Sequence, residues 1–90
     1  PRPDISQLKV EVFRNRVTVK TMSPPAGLTY QASLDNEFND QKQVWHGDGL
    51  GRQFDFLLKE YGKQTLYIKH IDSDGAASPA AVYEFNANPQ

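Results

Sequence analysis

Thr65-Leu66-Tyr67-Ile68-Lys69-His70-Ile71-Asp72-Ser73-Asp74-Gly75-Ala76-Ala77-Ser78-Pro79-Ala80-Ala81-Val82-Tyr83-Glu84-Phe85 reads as a strand, a polar turn and a second strand. Leu66 and Ile68 alternate with Tyr67, Lys69 and Ile71, the period-two pattern of a chain buried on one face. His70 falls on the Leu66 face, near the end of the strand. Tyr83 and Phe85 alternate with Glu84 in the same way. Between them, residues 72–79 carry the Asp, Ser, Gly and Pro that turns favour. A long hairpin of this kind points to an antiparallel all-β domain.

The pattern continues toward the N-terminus. Leu8, Val10 and Val12 alternate with Lys9 and Glu11. Arg14-Asn15-Arg16 is a turn, and Val17 and Val19 alternate with Thr18 and Lys20. Ser23-Pro24-Pro25-Ala26-Gly27 breaks that second strand. Leu28, Tyr30, Ala32 and Leu34 share one face of a third, with Thr29, Gln31 and Ser33 on the other. Residues 35–40 form a polar loop, and residues 43–46 a short apolar piece around Val44 and Trp45. Three glycines between Gly47 and Gly51 mark a loop, since their backbone entropy resists regular structure.

Phe54, Leu57, Leu58 and Tyr61 have helical spacing, but flanking glycines and the lack of an N-cap favour a strand through Phe54 and Phe56. A single helical turn over residues 57–61 is the alternative. The whole reads as an antiparallel β-sandwich of about seven short strands. Residues 1–6 read as a linker, 7–88 as one domain and 89–90 as a tail.

Composition narrows the function classes. A chain of 90 residues holds one small domain, which buries only about 60% of its unfolded surface. A net charge of −1 gives no field to draw in nucleic acid. With no cysteine, disulfide scaffolds and thiolate metal sites are excluded. No apolar run is long enough for membrane insertion as a helix. The start, Pro1-Arg2-Pro3-Asp4, reads as a piece of a longer protein.

Three segments carry a family likeness. Thr29-Tyr30-Gln31-Ala32-Ser33-Leu34-Asp35, followed by Phe38, resembles the third-strand signature of bacterial Ig-like repeats, where an aromatic, any residue, Cys, Ser, Leu and Asp follow one another. Gly62-Lys63-Gln64-Thr65-Leu66-Tyr67-Ile68-Lys69-His70-Ile71-Asp72 resembles their G-x-H-T-x-x-V-R-A-x-D strand. Gly75 through Phe85 resembles their G-N-x-S-P-A turn and aromatic last strand. Similar strings occur in fibronectin type III-like modules of bacterial envelope proteins. Ala32 stands where many repeats have Cys, Gln64 where His is usual, His70 where Ala is usual, and Ala76 where Asn is usual. The resemblance implies an Ig-like (fibronectin III-like) antiparallel β-sandwich of about seven strands, serving as a spacer or binding module in a secreted or cell-envelope protein, outside the cytoplasm.

The candidate sites are few. Trp45, His46 and Asp48, with Tyr67, are the side chains suited to stacking on a glycan or anchoring a protein. Asp72 and Asp74 look like a fragment of a calcium loop. Calcium takes six to eight oxygens, so it would need Asp35, Glu37 and Asp40 at the same end of the domain. Turn chemistry accounts for Asp72-Ser73-Asp74-Gly75 without a metal. His46 and His70 lack neighbours at ligand or catalytic spacing. Asp48, Asp55 and Glu60 suit surface solubility better than paired glycosidase chemistry. Arg14, Arg16, Lys9 and Lys20 form a basic strip suited to guarding strand edges. The expectation is a non-catalytic module with no cofactor, whose partners are neighbouring domains, a protein or a glycan. A carbohydrate-binding module attached to an enzyme is the rival.

Overall fold

A computed structural model describes residues 3–6, 8–20, 25–39, 43–46 and 54–89, with side chains at all of these except 43–46 and 54. The described residues are all-β, with no helix, and form two antiparallel sheets. The strands are β1 (Lys9–Phe13), β2 (Arg16–Lys20), β3 (Thr29–Ser33), β4 (Gln43–His46), β5 (Phe54–Leu57), β6 (Gly62–Ile71) and β7 (Ala81–Ala87). One sheet has the order β1-β2-β5 and the other β4-β3-β6-β7.

The strand faces follow the alternation. Val17, Val19, Tyr30, Ala32, Phe56, Leu66 and Ile68 are buried in one core between the sheets, with Leu8, Val10, Val12, Tyr83 and Phe85 packed around it. The register aligns these rows: Val12 with Val17 and Phe56, and Ala32 with Ile68 and Ala81. Residues directly opposite in an antiparallel ladder share a face, so each aligned row is wholly inward or wholly outward. The aligned apolar rows meet across the interior as a small β-sandwich.

The segment with two readings resolves as a strand. Burial alternates along it, with Phe56 and Leu58 buried and Asp55 and Leu57 exposed. The backbone N–H of Leu58 donates to the Asn15 carbonyl at 2.7 Å, extending the β2–β5 ladder by one bond. The helical turn over residues 57–61 is therefore absent. A helix would have buried Leu57 beside Leu58, whereas Leu57 is 70% exposed.

Two other placements depart from the sequence pattern. Ser33 sits on the outer face of β3 yet is completely buried. Residues 3–6, read as linker, lie against the sandwich: Pro3 is buried and Ile5 packs on the core.

The topology sorts the loops to two ends. β3 begins opposite Ile71 and ends opposite Tyr67, while β6 begins opposite Ala87. The β6–β7 loop and residues 25–28 thus share one end with the start of β1. The β1–β2 turn, residues 34–39 and residues 58–61 lie at the other, where β7 leaves. The first and last strands start and finish at opposite ends of a body 42 × 24 × 21 Å.

Candidate functional site

The β6–β7 loop folds on its own backbone. Asp72 Oδ1 accepts the N–H groups of Asp74 and Ala76, each at 2.9 Å. The Asp72 carbonyl accepts the N–H of Gly75 at 3.0 Å, and the Asp72 N–H donates to the Ala76 carbonyl at 3.1 Å. Gly75 has a φ of 87°, which favours a residue without Cβ. This is a side-chain-closed turn, the chemistry for which short Asp side chains are suited.

Residues 35–39 repeat the device at the opposite end. Asp35 Oδ1 accepts the Glu37 N–H at 3.2 Å, and Oδ2 accepts the Asn39 N–H at 3.0 Å. The acidic residues that calcium would need are thus split between the two ends. Among the described residues no group of three or more His, Asp or Glu side chains could hold a metal ion. Asp40 lies outside the described residues.

The sequence candidates for stacking are not brought into one described cluster. Tyr67 is half-buried on the outer face of β6, in a row with Ser33 and Val82. Trp45 pairs with Tyr30 and His46 with Thr29 in the backbone register. Their side chains, and all of Asp48 and residues 47–51, lie outside the described residues. Within the row of Trp45 and Tyr30, Tyr30 belongs to the core.

His70 occupies the inward row expected for it. It stacks on Tyr30 with ring centroids 6.3 Å apart and planes 30° from parallel. Its backbone N–H donates to Ser78 Oγ at 2.9 Å, and its carbonyl accepts the Ser78 N–H at 2.9 Å. Burial raises the pKa of the Tyr30 phenol, and the Asp4 carboxylate raises it further, while a hydrogen bond from the Asp4 backbone opposes both. Asp4 itself is held below its ordinary value by the Ser6 N–H, which donates to Oδ1 at 2.9 Å, and by the Ser6 side chain. These contacts seat residues 3–6 on the same end as the β6–β7 loop.

The feature that sequence reasoning missed lies on the outer face of the β1-β2-β5 sheet. Phe13, Arg16 and Leu57 form one register row there. Phe13 is 69% exposed, close to the value for Leu57. The Arg14 guanidinium lies 5.4 Å from the centre of the Phe13 ring. Alternation carried the signal: Phe13 follows Val12, and Leu57 stands between Phe56 and Leu58, so each puts an apolar side chain where a polar one is due.

No protein-family model, no curated protein and no solved structure matches the chain.

Proposed function

We propose that the chain is a non-catalytic spacer or interaction module, an Ig-like or fibronectin III-like sandwich within a secreted or cell-envelope protein. The observation that carries the reading is the path of the chain. The first strand starts at the end of the sandwich that holds the β6–β7 loop, and the last strand finishes at the opposite end. A module built this way passes a chain through a rigid body and sets the distance between whatever it joins. The strand grouping supports the finer fold type. The first two strands share a sheet with the fifth, while the third lies between the fourth and the sixth and the sixth pairs with the last, a grouping like that of Ig-like sandwiches. The sequence likeness of residues 29–38 and 62–85 to bacterial Ig-like repeats supports the bacterial envelope setting.

The reading is tested by distance. The chain has no cysteine, so Lys9→Cys and Asn88→Cys place two spin labels without background. Both sites are exposed. A single narrow distribution of interspin distances is expected. A broad distribution would contradict a rigid spacer.

A further inference from the structure

We infer that the Phe13–Arg16–Leu57 row, with Arg14, is a docking surface for a protein segment that presents apolar side chains flanked by carboxylates. The inference rests on the interaction-module reading and names the surface and the partner's chemistry.

Three observations carry it. The first is the exposed pair itself, Phe13 and Leu57, flanking Arg16 on a flat antiparallel face. Aromatic side chains and arginine are the residues enriched in the buried centres of protein interfaces.

The second is charge. Glu11 on this face is bound to Lys20 at 3.0 Å, and Asp55 accepts the Thr18 hydroxyl at 2.8 Å. The ion pairs among the described residues are Lys20–Glu11 and Lys63–Glu84, and neither involves Arg14 or Arg16. Two guanidiniums beside exposed hydrocarbon therefore await an acceptor. Guanidinium matches carboxylate in a bidentate geometry that lysine lacks.

The third is the conformation of the turn. Arg14 has a φ of 55° at the first central position of a two-residue hairpin, where glycine is the usual occupant. A left-handed residue with a Cβ costs about 1–2 kcal/mol. Strain of this kind, held at a surface, points to a use for the side chain. Here the strained residue sets its charge over Phe13.

A carboxylate-bearing protein segment fits better than an anionic bilayer. A flat anionic surface would also press against Glu11 and Asp55 one row away, whereas a segment can address Arg14 and Arg16 alone.

The test is amide NMR of the labelled chain titrated with short synthetic peptides in which Glu alternates with Leu or Phe. Peptides with Lys in place of Glu, and phosphatidylglycerol vesicles, are the controls. The Glu peptides should shift the amides around Phe13, Arg16 and Leu57, more weakly as salt rises. Arg16→Glu should weaken the shifts by about tenfold or more, as expected for an interface hot spot, with the rest of the spectrum unchanged. Silence toward the Glu peptides, equal response to the Lys peptides, binding to vesicles alone, or concentration-dependent self-association at this row would each overturn the inference. None of these outcomes alters the end-to-end distance, which tests the spacer reading separately.

Discussion

The outer faces of the two sheets obey the same alternation and end differently. On the β4-β3-β6-β7 sheet a loop returns over the strands. Phe38 is buried, with the Lys69 ammonium 4.3 Å from its ring centre, and Ser33 on the same face is completely enclosed. On the β1-β2-β5 sheet no described segment covers the row of Phe13, Arg16 and Leu57, and both hydrocarbons stay in water. Burial on an outer face thus depends on whether a distant loop comes back, which period-two pattern alone does not encode. The covered face belongs to the stability of the domain. The open face is available for contact.

The largest expected effect lies on the covered face. Phe38→Ala removes a buried ring and its cation contact, and should cost about 3 kcal/mol in urea unfolding. It should also expose Ser33, raising hydrogen exchange in β3. An effect near zero would mean that the loop does not seal that face.

Asp35→Ala comes next. It leaves the N–H groups of Glu37 and Asn39 without their carboxylate and loosens the loop that carries Phe38, with an expected loss of about 1–2 kcal/mol. If Asp35→Ala leaves unfolding unchanged, the turn is not what holds Phe38 in place.

Arg14→Gly should act in the opposite direction. Glycine relieves the positive φ at the open face, and a gain of about 0.5–1 kcal/mol is expected after its own entropy cost. A loss of stability would show that Arg14 is a structural contact and would remove the strain argument.

Alkaline titration distinguishes what lies beneath the two faces. Behind the covered sheet stands Tyr30, whose phenol pKa is raised above its ordinary 10.0. Folding therefore favours the neutral phenol. That contribution is complete below the unfolded-state pKa and is lost as pH rises through the folded one. Among the described core residues of the other sheet, Val17, Val19 and Phe56 do not titrate. Melting temperatures should fall above about pH 10, and Tyr30→Phe should flatten the fall. An unchanged slope in Tyr30→Phe would assign the loss elsewhere.

Much of this architecture was legible in the chain. Leu66 and Ile68, Val17 and Val19, and Tyr30 and Ala32 declared their inward faces by spacing, and His70 took its expected row. The turns at Arg14-Asn15 and residues 72–76 declared themselves by composition. What escaped were long-range events. The burial of Ser33 goes with the return of Phe38 to its face, and that of Pro3 with the docking of residues 3–6 beside Tyr30. The helical spacing of Phe54, Leu57, Leu58 and Tyr61 arose because Leu57 breaks a strand pattern rather than completes a helix. The open row was visible as two misplaced hydrophobes, but only the register brings Phe13, Arg16 and Leu57 together across strands far apart in sequence.

The smallest expected effect tests the contrast most directly. Phe13→Ser with Leu57→Ser removes both exposed hydrocarbons, and urea unfolding of the double variant measures what they contribute to the fold. Stability within about 0.5 kcal/mol of the parent is predicted, as for exposed positions away from the core. A loss comparable to that of Phe38→Ala would show that the open face is part of the packed structure, and would contradict the account.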